Sequence, residues 1–455
     1  MRAVVGQEQA IVGGRQGWRW LGALTAYWFG LAVVWGALTT VILPRLVEST
    51  VPGPVKTTAL ALITGLQAVV AIIVQPISGA ASDRLTSRWG RRRPLLAAGV
   101  AVQLACLLLL AMVTGYWALL GAMLLVEFWS DVAQGPYQGL LPDLVPVGER
   151  GLESGLMGGA TLAGQVAGVA AAGVAVAAGQ TQLAIVVLVV ILGLSTLVTL
   201  VGVREEAGRT RAGRLLSAQG WLRHLLHPGH WATPLRRVIV EAWDRDVLEQ
   251  RDYVWLLAAR LLILMATGTL QPFVFFYLED SLGLGNQAGL AVAPLAATVA
   301  LVALLSAVPG GMLSARWGRV RVVSLSAVAG AVGAALFAVA PTYLVLFPIA
   351  VPFGLALGIF LSADWALLVD IVPLEEAGRY LGLSNTVTAA AGLLAVALGG
   401  PLADLVNAWR AGWGYRAIFV LAAVEFIIGT FCMRRVHEPA GTEGSHRPAD
   451  LRQAG

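Results

Sequence analysis

Charge is what this sequence has least of for its length. Asp, Glu, Lys and Arg make up 13% of 455 residues, against about 25% in a soluble protein, which is too little to wet a surface. With 58% hydrophobic residues and a mean hydropathy of +0.77, lipid is the implied solvent. Cysteine is nearly absent. Cys106 and Cys432 fall in separate apolar runs, where a lone thiol acts as a small inert hydrophobe, so neither a disulfide nor a metal role is expected. His224, His227 and His230 are the one clustered histidine group, and Pro228-Gly229 breaks the helix between them. No phosphate-cradling Walker loop is present, which excludes direct ATP coupling. No nucleophile–base constellation stands out in the polar loops, so no enzymatic activity and no cofactor are expected. The excess of basic residues is dispersed over loops and does not suggest nucleic acid.

What is abundant is long apolar runs. A spanning helix needs about 20 apolar residues, and twelve candidates occur at 20–43, 57–81, 95–113, 117–140, 154–178, 182–203, 254–278, 288–313, 322–340, 342–368, 381–403 and 415–433. The first run is too long for a signal-peptide core and no small-residue cleavage site follows it, so it reads as the first span. Six runs precede the polar segment 204–253 and six follow it. With the N-terminus inside, 26 of the 31 Lys and Arg residues become cytoplasmic and only Arg45, Lys56, Arg410 and Arg416 lie outside. That asymmetry predicts a multi-pass protein of the inner, cytoplasmic membrane with both termini cytoplasmic. The expected organisation is a six-helix half over 1–203, a linker over 204–253, a second half over 254–435 and a disordered tail over 436–455. Two amphipathic stretches in the linker, Arg214 to His227 and Pro234 to Arg251, are expected to lie on the inner membrane face.

Two motifs recur half a chain apart. Arg88-Trp89-Gly90-Arg91 returns as Arg316-Trp317-Gly318-Arg319, an offset of 228, and Asp143-Leu144-Val145-Pro146 with Glu149 returns as Asp370-Ile371-Val372-Pro373 with Glu376, an offset of 227. Because six spans is an even number, the halves enter from the same side and are parallel repeats. The fold class is therefore an all-α membrane protein of twelve transmembrane helices in two related halves. In the loop after the second run, Gly79 permits close helix approach, Asp83 suits the positive end of a facing helix, and Arg84, Arg88, Arg91 and Arg92 face the carboxylates Asp143, Glu149 and Glu153. In the second half Arg316 and Arg319 face Asp370 and Glu376. Pairs of this kind can form and break as two domains rock; a plain positive-inside anchor is the competing reading.

Charges inside a membrane are costly and mark functional positions by default. Glu127, Asp131, Gln134 and Gln138 lie on one helical face. Asp131 is nine residues from the end of its run, roughly 14 Å deep at 1.5 Å per residue, where a carboxyl is a candidate proton site; a permanently hydrogen-bonded helix contact is the alternative. Arg260 and Asp364 sit at matching depths and are expected to pair. Glu425 is expected to be a buried structural partner. Tyr27, Trp35 and Gln271 supply the aromatic faces and amide groups that a polar organic solute needs, and equally what a packing interface shows.

The run from Val74 to Gly99, with Gln75-Pro76, Ser82-Asp83-Arg84 and Gly90-Arg91-Arg92-Arg93-Pro94, resembles the signature loop of the major facilitator superfamily. More narrowly it is similar to that of the sucrose–proton symporters and their glycoside–pentoside–hexuronide relatives. Phe128-Trp129, Asp131-Val132-Ala133, Gln134-Gly135-Pro136 and Asp143-Leu144 extend that similarity. The resemblance implies that helices 1, 4, 7 and 10 line a central cavity and that Asp131 occupies the acidic site of helix 4. Gln138 stands where the sucrose symporters carry an arginine, and Ala315 where the second loop copy would carry Asp.

The reading is a secondary active transporter, working as a monomer, that moves a small polar organic solute, a sugar or glycoside, by alternating access. The proton is the coupling ion, held at Asp131 with Glu127, and the bilayer is the only other partner. A proton-driven exporter of amphiphilic compounds is the nearest rival; a non-transporting assembly factor on the same fold is the rival from another class.

Overall fold

The structure, a computed structural model, describes residues 17–83, 87, 89–145, 150–203, 249–371 and 377–437. Among these residues twelve helices are long and apolar enough to cross a membrane. They are α1 Trp18–Thr50, α2 Lys56–Asp83, α3 Arg93–Leu110, α4 Tyr116–Leu144, α5 Arg150–Ala177 and α6 Thr181–Gly202, then α7 Arg251–Ser281, α8 Ala288–Trp317, α9 Arg319–Val339, α10 Leu346–Ile371, α11 Ala377–Trp409 and α12 Trp413–Met433. No strand occurs among the described residues. The amphipathic linker stretches, with His224, His227 and His230, lie outside them.

Helix ends follow local chemistry. Pro94 opens α3, where its missing N–H costs nothing. Gly115, Gly179 and Gly412, at φ of 88°, 72° and 79°, turn the chain between neighbouring antiparallel helices. α1 and α7 run further than their apolar runs. α1 continues through a π turn at Leu38–Ile42 to Thr50, and α7 through a 3-10 turn at Gln271–Phe273, where Pro272 withholds a donor, to Ser281. The added turns carry Arg45, Glu48, Glu279 and Asp280. Hydropathy stops at such charges, but the helix continues because these side chains meet one another.

The chain starts α1 and leaves α6 on one face of the bundle, here the terminal face, and starts α7 and leaves α12 on that same face. The opposite face, with the α1–α2, α3–α4 and α5–α6 turns and their second-half counterparts, is the distal face. In the first half α1 packs on α5 and α6, α4 packs on α2 and α3, and α3 packs on α6. In the second half α7 packs on α11 and α12, α10 on α8 and α9, and α9 on α12. Each pair maps onto its counterpart six helices on, as parallel repeats require.

Between the halves α5 packs on α8 and α2 on α11, and the repeat exchanges these two seams. On the first, a Cβ at Gly173 would stand 2.2 Å from the Gly289 carbonyl oxygen; on the second, a Cβ at Gly400 would stand 2.5 Å from the Ala61 Cβ. Gly173 and Gly400 are 227 residues apart, and Ala61 and Gly289 are 228 apart, the two offsets of the sequence motifs. The contact surfaces of the halves are therefore duplicated along with the halves. Small residues there let the backbones touch. Toward the terminal face the same helices are uncovered: a Cβ at Gly155, Gly158 or Gly159 of α5, or Gly392 of α11, would meet nothing within 4 Å.

Candidate functional site

The polar stripe of α4 is turned toward α2. Gln67 of α2 donates from Nε2 to Glu127 Oε2 at 3.0 Å, Gln75 donates to Gln134 Oε1, and Ser78 Oγ donates to the Asp131 backbone carbonyl at 2.9 Å. The approach that allows this is demanded by Gly135 rather than Gly79. A Cβ at Gly135 would lie 2.1 Å from Ser78 Oγ and 2.6 Å from the Gln75 carbonyl, whereas one at Gly79 would be in ordinary contact at 3.7 Å. Asp131 is 3% exposed and enclosed within the first half, and its Oδ2 has no hydrogen-bond partner. Glu127 and Gln134 are half-buried and Gln138 is exposed; Gln138 donates weakly to Gln134 at 3.4 Å.

Tyr27 is wholly buried. Its ring lies 4.7 Å from that of Tyr137, which also stacks on Trp28 at 5.7 Å, so Tyr27 packs the α1–α4 contact. Trp35 is half-buried and Gln271 exposed. The irregular turns of α1 and α7 meet each other, which brings together one helix from each half. Trp28, which depth alone ranks below Trp35, donates from Nε1 to Thr161 Oγ1 of α5 at 2.8 Å.

In the second half Arg260 of α7 and Asp364 of α10 form the ion pair that their matched depths suggested. Both are buried, and the free Nη2 of Arg260 reaches Thr388 Oγ1 of α11 at 3.4 Å. Glu425 on α12 is 3% exposed and accepts from Thr269 Oγ1 at 3.4 Å.

The recurring loop glycines have a backbone reason. Gly90 and Gly318, one repeat apart, both sit at positive φ, 97° and 91°, which other residues rarely adopt. In the second half the expected pairing is present: Arg319 Nη1 lies 2.7 Å from Asp370 Oδ2 and donates to the Ala366 carbonyl, the C-terminal end of α10. Arg316 is exposed. In the first half the Arg92 guanidinium lies against Gly139, where any Cβ would overlap it. Arg91 and Arg92 are both engaged. Arg84, Arg88, Glu149 and Glu376, and the side chains of Asp83 and Asp143, lie outside the described residues. Glu153 lies in the α1–α5 contact, where it accepts from Thr25 Oγ1 at 3.2 Å.

Among the described residues the polar contacts between the halves gather at the distal face, and charge sparsity hid them in the sequence. Lys56, the one lysine of the chain, is buried and lies 2.8 Å from Asp280 Oδ2 and 3.3 Å from Glu48 Oε1. Arg45 lies 2.7 Å from Glu48 Oε2 and 3.8 Å from Glu279 Oε1. Beside them Asp404 of α11 caps the N-terminus of α2. Its carboxylate accepts from the Thr57 and Thr58 backbone N–H groups, at 3.3 and 2.6 Å, and from the Thr57 hydroxyl. Such a cap draws on both the free N–H groups and the dipole of the helix end. The only available signal was Lys56 and Asp404 lying at matching distal ends of runs in opposite halves.

Two parallel six-helix halves joined through duplicated seams, with buried charges in each and an ionic closure on one face, define a polytopic membrane transporter. Its sequence matches the Major Facilitator Superfamily over residues 23–306 and 286–453, and the chain belongs to that family, whose members are generally not enzymes. A segment is 32% identical over 131 residues to human proton-associated sugar transporter A, covering 26% of this chain and 17% of that protein. Among solved structures, the nucleoside transporter NupG superposes with a TM-score of 0.67 at 14% identity, over 92% of this chain and 98% of that one. A bacterial homologue of the human lysosomal transporter Spinster, in an inward-facing and unoccupied conformation, gives 0.67 at 17% over 93% and 98%. At these identities the structures share the fold.

Proposed function

We propose that the protein moves a small polar organic solute, a sugar or glycoside, across the cytoplasmic membrane by proton-coupled alternating access, with its terminal face in the cytoplasm. The observation that carries this reading is Asp131, a carboxylate 3% exposed with one oxygen unpartnered. An ionised carboxylate left so is expensive; a proton on that oxygen removes the charge. Glu127 is one helical turn away on the half-buried side, held by Gln67, and serves as the relay between Asp131 and solvent. Gln134, Gln138, Trp35 and Gln271 offer amide and aromatic groups to the solute. Arg260 and Asp364 bound the site in the second half, with Thr388 above them. The resemblance to sucrose and glycoside symporters and the human relative's association with protons and sugar favour this solute class. The positive-inside distribution favours the assigned orientation.

Proteoliposomes with an imposed pH gradient and a panel of labelled sugars test the reading. Gradient-driven uptake by the wild type is expected to be lost in Asp131→Asn, while solute exchange at equal pH continues. If no sugar moves and the substitution leaves every flux unchanged, the reading is wrong.

A further inference from the structure

The distal closure carries an unbalanced charge. Arg45 and Lys56 supply two cations; Glu48, Glu279 and Asp280 supply three carboxylates. Fully ionised, the group is net negative by one unit in a place where Lys56 and Glu279 side chains are only 8% and 10% exposed. Asp280 is well served by Lys56 at 2.8 Å and by the Tyr415 hydroxyl, which donates at 2.6 Å. Glu279 is not. Its buried Oε2 receives no hydrogen bond, and its two cations, Lys56 Nζ and Arg45 Nη1, both stand off at 3.8 Å. The Glu48 carboxyl of the other half stands against the same two cations, 2.7 Å from Arg45 Nη1 and 3.3 Å from Lys56 Nζ, so the two carboxyls share one site. Two carboxylates are acceptors only, so a hydrogen bond between them needs a proton.

We propose that Glu48 and Glu279 together bind one proton across the two halves, and that this shared proton holds the distal face closed. One proton makes the group neutral and links α1 to α7. Other ionisable groups around it are already committed. Asp404 is saturated by Thr57 and Thr58, Arg416 donates to the Ala338 and Ala340 carbonyls, and Tyr116 donates to the Ala59 carbonyl. α8 brings no titratable side chain to this end. When the halves part, Glu48 and Glu279 separate, each is hydrated, and the proton leaves to the distal compartment. This site is distinct from Asp131, which lies within one half; it rests on family membership and not on the sugar reading.

Spin labels at Trp117→Cys and Leu344→Cys, with Cys106 and Cys432 replaced by Ser, report the distal opening directly. Both positions are exposed, at 74% and 76%, lie on equivalent turns of the two halves, and neither belongs to the ionic group. As pH falls from about 9 to about 5, the ratio of short to long label distances is expected to rise, by up to about tenfold per pH unit for a single proton. Glu279→Gln replaces the protonated carboxyl by an amide that still donates to Glu48, so its ratio is expected to stay near the acid limit at every pH. Glu48→Gln gives the same reading and stands in if the first variant is not recovered folded. Asp131→Asn is expected to keep the titration. A flat wild-type profile overturns the proposal, as does a wild-type titration persisting in both Gln variants, or one abolished by Asp131→Asn alone. These distances are read without solute, so a failed flux assay leaves them interpretable.

Discussion

Removing one member of a buried ion pair strands the other. Arg260→Met is therefore expected to lower stability by about 3–5 kcal/mol, and the double variant with Asp364→Leu to recover most of it, both measured by thermal unfolding of the purified protein. Recovery of fold without recovery of transport would separate solute recognition by this pair from its packing. Glu153 makes a pH prediction. Burial pushes its carboxyl above the usual carboxylate range, against the opposing hydrogen bond from Thr25. A raised value means the folded state binds the proton more tightly, so the contribution is favourable at low pH and is lost as pH rises through the folded value. Glu153→Gln should leave stability unchanged in acid and increasingly improve it toward alkaline pH. These residues divide by how the sequence exposed them. Arg260 and Asp364 were legible because a charge within an apolar run has one economical answer, a partner at equal depth. Glu153 was read beside the loop arginines because it sits at a helix start near Arg150; only the packing of α1 on α5 supplies Thr25 as a partner.

At the scale of the element, the demanding positions are glycines pressed against a neighbouring backbone. Gly135→Val is expected to cost at least about 1–3 kcal/mol by overpacking, because the Gln75 carbonyl 2.6 Å away is main chain and cannot rotate aside. Gly318→Ala should cost about 1–2 kcal/mol from its positive φ, with melting temperature as the readout in both cases. The twelve helices were visible from apolar length alone. Their ends were not: α1 and α7 outrun their apolar stretches because Arg45, Glu48, Glu279 and Asp280 are compensated across the seam, and no single helix records that. The stripe of α4 was likewise read correctly as one face, but periodicity does not say which neighbour that face meets. The second half helps explain it. Gly354, the repeat counterpart of Glu127, and Gly358 one turn on, lie on α10 against α8, a Cβ there meeting the Val299 or Ala303 carbonyl oxygen at 2.8 or 2.1 Å. The corresponding face of α4 meets α2, and side chains fill it there because Gln67 can donate to the acid.

At the scale of the whole molecule, closure of the distal face rests on few groups, so single changes should move the balance between closed and open states. Asp404→Ala removes three hydrogen bonds to a charged acceptor, each worth about 1.5–3 kcal/mol. It is expected to shift the closed-to-open ratio at least about tenfold toward open, read from the same label pair. The sequence reading put a latch between the halves only at the terminal loops, where arginines are dense. The distal latch uses the one lysine and scattered acids, and its members become a group only when α1, α2, α7 and α11 are brought together.

The duplicated seams have one further consequence. Gly173 meets Gly289 as Gly400 meets Ala61, and each half begins and ends on the same face. Neither half is thus marked by its contacts as the one that must come first. A circular permutant beginning at α7, running through α12, and returning by a linker of the natural length to α1 makes every helix contact of the parent. It should insert, fold and carry solute like the parent chain, and its loss of function in the same flux assay would show that order of synthesis, not architecture, tells the halves apart.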